Sequence, residues 1–237
     1  MGRNLPHGRP RQGTLSLFPV RRITSDNAAA FIRANTALIR PPHVPEIALH
    51  LADEAHDLWQ RTEEELAEIG LPPPFWAFAW AGGQGLSRYI LDHPETVRGK
   101  TVLDFATGSG LVAIAAVKAG AKGVLAADID PFSAPACALN MAANDVTFET
   151  TQNDLTGTTG EWDVVLAGDV FYDRAMTDTL VPWLDRLSEA GSTVIVGDPG
   201  RSYLPRTRLT ELASYIVPVT RALEDAEVKR TTVWQFA

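Results

Sequence analysis

The chain has one cysteine, Cys137, so it can carry neither a disulfide framework nor a cysteine-based metal site. No apolar run reaches the ~18 residues that a bilayer-spanning helix needs. Lysine is scarce, with four residues against 17 arginines, and the 29 acidic residues outnumber both together. The resulting net charge of −8 repels phosphate backbones, which argues against nucleic acid as a main partner. A basic or lysine-presenting protein partner is easier to accept. What remains is 237 residues at 45% hydrophobic content, enough for one substantial core.

The charge is uneven. Arg3, Arg9, Arg11, Arg21 and Arg22 fall within residues 1–25, which hold no acid. Pro6, Gly8, Pro10 and Gly13 break the amphipathic helix that an organellar presequence needs, so 1–23 read as a flexible basic arm. Residues 24–70 read as a helical extension. Thr24 or Ser25 caps a helix to about Arg40, and Pro41, Pro42 and Pro45 end it. Acidic material, helical or extended, fills 46–70. "DEAH" at Asp53–His56 and "GKT" at Gly99–Thr101 are decoys, because a strand follows Thr101 and no glycine stands five residues before Gly99. His50 and His56, six apart, share no helix face and read as surface histidines.

Residues 71–237 read as one α/β domain. "KTVLDF", "GVLAADI", "VTFETTQ", "WDVVLAGD" and "STVIVGD" are strands. Helices are expected in "GQGLSRYILDHP", "GLVAIAAVKAG", "PFSAPACALNMAAND" (with Pro131 in its first turn), "RAMTDTLVPWLDRLSEAG" and "LPRTRLTELASY". "IVPVTRAL" and "VKRTTVWQFA" close the chain as a hairpin. The alternation predicts a Rossmann-like three-layer sandwich: a seven-stranded, mostly parallel sheet with a C-terminal antiparallel hairpin. Its ligand belongs at the carboxyl ends of the strands.

Gly108 and Gly110 lie between the first of these strands and its helix, and Gly108–Ala113 fits the dinucleotide fingerprint G-x-G-x-x-[GA]. Asp104 argues against a pyrophosphate there, since a carboxylate beside the loop repels it. S-adenosylmethionine carries an ammonium and a sulfonium and no phosphate, so the same acid favours it. The pattern D-x-x-x-G-x-G after a strand resembles the first motif of class I S-adenosylmethionine-dependent methyltransferases. Asp128, twenty positions after Gly108, is placed to accept from ribose hydroxyls, a device NAD enzymes share. Asp130 is expected to cap the next helix. Asn153 or Asp154 can meet an adenine edge or simply make a turn.

In "AGDVFYD", Asp169 ends the fourth strand and Tyr172 follows three residues on. Asp169 can accept a hydrogen bond from an incoming amine and Tyr172 can wall its channel, or both can merely cap the loop. Asp173 is expected to cap the following helix. The D-x-x-[YF] pattern resembles that of seven-strand protein lysine methyltransferases. "PPFWAFAWAGGQGLSRYIL", "VRGKTVLDFATGSG", "DIDP", "GDVFYD" and "GDPGR", in this order from Pro72 to Arg201, resemble the electron transfer flavoprotein β-subunit lysine methyltransferases. Residues 1–70 carry no motif matched to that family, which leaves their role open, and "FATGSG" replaces its leucine-glycine-rich loop. The resemblance implies a methyltransferase domain over 71–237, with S-adenosylmethionine as cofactor, S-adenosylhomocysteine as product and no metal. It also implies Trp80, Gly83 and Gln84 closing over the cofactor, and catalytic roles for Asp169 and Tyr172. Trp76 reads as core, and Arg201 as a neighbour of the acceptor or a surface arginine.

The expected reaction is methylation of lysines in the electron transfer flavoprotein β subunit. A small, nicotinamide-like amine or another protein is the alternative acceptor. An NAD-binding oxidoreductase and a non-catalytic S-adenosylmethionine adaptor are the remaining classes. A monomer is expected, with neither membrane nor nucleic acid as partner. The single cysteine suits a reducing compartment. The arginine bias favours a bacterial cytoplasm, with the mitochondrial matrix as the alternative.

Overall fold

A computed structural model describes residues 25–52, 73–219 and 226–236. The basic arm, "DEAH" with His56, and most of the acidic segment lie outside the described residues. Helix α1 spans Ser25–Asn35 and is followed by two short strands, β1 (Ala37–Ile39) and β2 (Leu49–Leu51), paired antiparallel. The helix therefore stops five residues before Arg40. Asn35 Nδ2 donates to the Phe31 carbonyl and Thr36 Oγ1 to the Ile32 carbonyl, satisfying orphan acceptors at its end. Within residues 25–52 the helix covers only Ser25–Asn35, and a short antiparallel strand pair follows it. His50 is half-buried beside Thr36 rather than on the surface, and burial lowers its pKa.

The domain beyond alternates helix and strand. A 3₁₀ turn at Phe75–Ala77 leads into α2 (Ala81–Asp92). Then come β3 (Thr101–Phe105), α3 (Leu111–Lys118), β4 (Gly123–Ala127) and α4 (Ser133–Asn144). Next are β5 (Glu149–Thr151), β6 (Val164–Gly168), α5 (Arg174–Glu189) and β7 (Thr193–Asp198). The chain closes with β8 (Leu209–Pro218) and β9 (Val228–Phe236). The sheet order is β5-β4-β3-β6-β7-β9-β8, parallel through β7 and antiparallel at β9 and β8.

β3, β6 and β7 are apolar on both faces because both faces are covered. Val102, Val164, Leu166 and Ile195 pack with α2 and α3 on one side. Leu103, Phe105, Val165, Ala167 and Val196 pack with α5 on the other. The order reverses between β3 and β6, which opens a crevice at their carboxyl ends.

"LPRTRLTELASY" is not a helix but a 3₁₀ turn at Arg206–Arg208 and most of β8. Its apolar spacing suits either state, and non-local pairing along β9 decides, with a bulge between Glu211 and Ala213. α4 begins at Ser133, two residues after Pro131, where Asp130 Oδ1 accepts from Phe132 N at 2.8 Å. Asp173 does cap α5, accepting from Met176 N at 2.8 Å, and the helix continues through exposed Pro182.

The N-terminal segment is sewn to α4. Asn140 Oδ1 accepts from His50 N at 2.7 Å, and Asn144 Oδ1 from Ala48 N at 2.9 Å. Trp76 is buried and stacks on Phe132 at 5.6 Å, as core.

α2 rests its first turn directly on the ends of β6 and β7. A Cβ on Gly82 would lie 2.3 Å from the Gly197 carbonyl oxygen, and one on Gly168 would lie 2.8 Å from the Gly83 Cα. Because backbone cannot give way as a flexible side chain can, Gly82→Ala is expected to lower stability by about 2 kcal/mol or more, roughly 5 °C in Tm. Gly123→Ala, which meets nothing within 4 Å, is the near-neutral control, and thermal melts of the two variants check the difference.

Candidate active site

Two carboxylates hold the turn between β3 and α3. Asp104 is buried, and its Oδ2 accepts from Thr107 Oγ1 and, at 2.9 Å, from Ala113 N. Asp128, at the end of β4, accepts from Gly108 N at 2.8 Å through Oδ2 and from Asp130 N at 2.9 Å through Oδ1. Burial raises Asp104 to about 7, helped by the nearby Asp128 charge and opposed by its own hydrogen bonds. Burial likewise raises Asp130 to about 6. Gly110 begins α3 at φ +80°, and a Cβ there would press on Cys137 Sγ at 3.0 Å. Ala106 and Asp169, at the ends of the adjacent strands β3 and β6, hold φ values of +54° and +59° without being glycine.

The crevice widens into a cavity of about 550 Å³. Of the residues singled out in the sequence, Trp80, Gly83, Asp104, Gly108, Asp128, Asp169 and Tyr172 line it. Asn153 and Asp154 line an adjoining cavity of about 330 Å³, which shares Ala106, Asp128, the exposed Ile129 and Met176 with the first. Two expected residues do not reach either cavity. Gly110 serves the turn. Gln84 is buried, and its Nε2 donates to the Ala79 carbonyl at 2.7 Å, fixing the chain's entry into α2.

The far end of the cavity is built around Asp169. Its Oδ2 accepts from Gly82 N at the positive end of α2. Its Oδ1 accepts from Arg201 Nε and Nη2, each at 2.6 Å. The Arg201 guanidinium sits 5.7 Å from the centre of the Trp80 ring. Asp198, buried at the end of β7, shapes the turn that delivers Arg201 by accepting from Gly200 N at 2.6 Å and Arg201 N at 2.7 Å. Tyr172 is half-exposed, its ring 5.7 Å from Phe75, which lies 5.9 Å from Trp80. Partial burial raises the Tyr172 pKa.

Sequence reasoning undervalued Arg201: it is the one cation among the described lining residues, not a surface arginine. The signal was the Asp-Pro-Gly-Arg turn itself. The acids Asp104, Asp128 and Asp130 at one end suit a ligand with hydroxyls and positive charge, and they oppose a phosphate.

Residues 86–197 match the model of the ribosomal protein L11 methyltransferase family (PrmA). The chain is 40% identical over 215 residues to the electron transfer flavoprotein beta subunit lysine methyltransferase of Xenopus laevis, covering 87% of this chain and 86% of that one. It is 37% identical over 222 residues to the Homo sapiens protein of the same name, covering 87% and 81%. The solved magnesium protoporphyrin IX methyltransferase (ChlM) of Synechocystis PCC 6803 with bound SAM aligns at 16% identity and a TM-score of 0.49, covering 65% of this chain and 78% of that one.

Asp104 carries a titratable consequence. With its carboxyl near 7, it is mostly neutral at pH 6 and mostly ionised at pH 7.5. A cationic ligand favours the ionised form, so S-adenosylmethionine is expected to bind about eightfold more tightly at pH 7.5 than at pH 6. Isothermal titration across that range checks this, and Asp104→Asn should flatten the dependence as well as weaken binding.

Proposed function

Because the chain belongs to the electron transfer flavoprotein β-subunit lysine methyltransferase family, we propose that it methylates lysine side chains of that β subunit with S-adenosylmethionine. The observation that carries the reading is that Asp104, Asp128 and Asp169 line one continuous cavity. Its volume falls within the ~300–1,000 Å³ usual for small-molecule sites.

The chain's residues fit the cofactor. Asp104 supplies negative charge for an ammonium, Asp128 faces the ribose position, and Asn153 or Asp154 borders the adenine side. When bound, S-adenosylmethionine supplies a methyl on a sulfonium; the lysine nitrogen forms the N–C bond as C–S breaks, and sulfur keeps the electron pair. Residues at the Asp169 end orient the amine toward the methyl at a near-attack distance of ~3–3.5 Å. The acceptor must arrive without its proton, because the nitrogen lone pair is the nucleophile. After transfer the methylated nitrogen is cationic and loses a proton to solvent. Nothing in this reading calls for a metal.

The rim favours a macromolecular acceptor over a small free amine. Phe75, Ile129 and Tyr172 are 41%, 71% and 49% exposed around the mouth, more apolar surface than an enclosed small-molecule site would leave. The reading extends to a monomer in a reducing compartment such as a bacterial cytoplasm, with neither nucleic acid nor membrane as partner.

Mass spectrometry of electron transfer flavoprotein after incubation with the enzyme and S-adenosylmethionine tests the proposal. Gains of one or more methyl units on β-subunit lysines are expected. Asp169→Asn, which keeps side-chain volume and an acceptor for Gly82 N, should cut the rate about a hundredfold while S-adenosylhomocysteine still binds. No gain with a wild-type enzyme that binds the cofactor would reject the substrate.

A further inference from the structure

Arg201 is the residue at the methyl-transfer end that nothing else assigns. Two nitrogens of its planar guanidinium converge on one oxygen of Asp169, at 2.6 Å each. The other oxygen is held by Gly82 N. The carboxylate is therefore clamped from α2 on one side and from the turn after β7 on the other. The guanidinium is also seated on Trp80 and anchored through its backbone to Asp198. Such an arginine is built into the site from three directions, and its side chain is only 21% exposed.

We propose that Arg201 is a positioning residue for methyl transfer: it fixes the Asp169 carboxylate and sets a positive charge beside the acceptor nitrogen, so that the lysine is received as neutral amine rather than ammonium. The inference rests on the lysine-methyltransferase reading above. An unclamped Asp169 would bind lysine as its ammonium, whose nitrogen has no lone pair. Neutralising the carboxylate with a fixed cation removes that trap while leaving the carboxylate in place as an orienting group. The displaced proton goes to bulk water before transfer.

The surrounding charges do not duplicate this role. Among the described residues, the loop after β6 brings Tyr172 and Asp173 near the site. β7 and the turn after it bring Asp198 and Arg206, whose charges act on one another. β3 and β4 bring Asp104, Asp128 and, just beyond, Asp130 across the cavity. α2 and the turn before it line the cavity with aromatic rings and backbone, and α5 with Met176. All these acids favour an ammonium, so Arg201 is the lining cation that opposes it.

The test is the pH dependence of kcat and KM on electron transfer flavoprotein for wild type, Arg201→Gln and Arg201→Lys, with S-adenosylhomocysteine affinity measured alongside. A like charge within a few ångströms commonly shifts a titration by about one unit or more. Arg201→Gln should therefore move the acidic limb of kcat up by about one pH unit and lower kcat roughly tenfold at pH 7.5, with KM changed less than threefold. Arg201→Lys keeps the charge but not the fork, so its limb should return to the wild-type position while kcat recovers only in part. Unchanged S-adenosylhomocysteine binding shows that the fold survives. An unmoved limb in Arg201→Gln overturns the proposal. So does a lower KM with kcat retained, which would make Arg201 a stand-in that lysine displaces. Should Arg201→Gln not fold, a limb shifted in Arg201→Lys overturns it equally. A wild type inert on the β subunit overturns the parent reading, and this one with it.

Discussion

The site depends on a backbone contact. α2 crosses the carboxyl ends of β6 and β7 with no side chain between, because Gly82 and Gly83 face Gly168 and Gly197. A β-carbon on Gly82, Gly168 or Gly197 would lift the helix away from the sheet. With the helix seated, the N–H of Gly82 reaches the Asp169 carboxylate, and the chain leading into α2 lays Trp80 against Arg201. The glycine loop is held by its own hydrogen bonds to Asp104 and Asp128, whereas the acceptor end of the cavity is built on this contact.

Negative charge is graded along the cavity. The acids near the glycine loop are held by backbone N–H groups and one hydroxyl, and burial leaves Asp104 and Asp130 reluctant to ionise. Asp169 is instead matched with a full cation. One end is thus kept electrically unsatisfied until a cation arrives, while the other is balanced from the outset. A donor that is positive and an acceptor that must be neutral call for this asymmetry.

The central sheet was legible because strands buried on both faces read as apolar runs, and the glycine loop was legible because Asp104, Gly108 and Asp128 act within a short span or through a known crossover. Failures came where distant segments decide. β8 has helix-compatible spacing, and only its partner β9 makes it a strand. β1 looked like the end of α1 until its pairing with β2 was seen. Gln84 was expected at the ligand from the family resemblance alone, but on a helix adjacent residues face different ways, and its amide turns back to Ala79. Arg201 lies 32 positions from Asp169, and no local pattern joins them. The turn after β7 does, and its purpose shows only once β6 and β7 lie side by side.

Of the three non-glycine residues with left-handed backbone among the described residues, two, Ala106 and Asp169, end neighbouring strands at the point where the sheet order reverses. Each such residue costs about 1–3 kcal/mol and persists only where its surroundings impose it. Both strands are therefore bent like cocked springs at the lip of the crevice, and folding, not ligand binding, does the work of bending them. At these two positions the lip of the crevice takes its shape from the fold itself, so an arriving molecule meets backbone that is already turned.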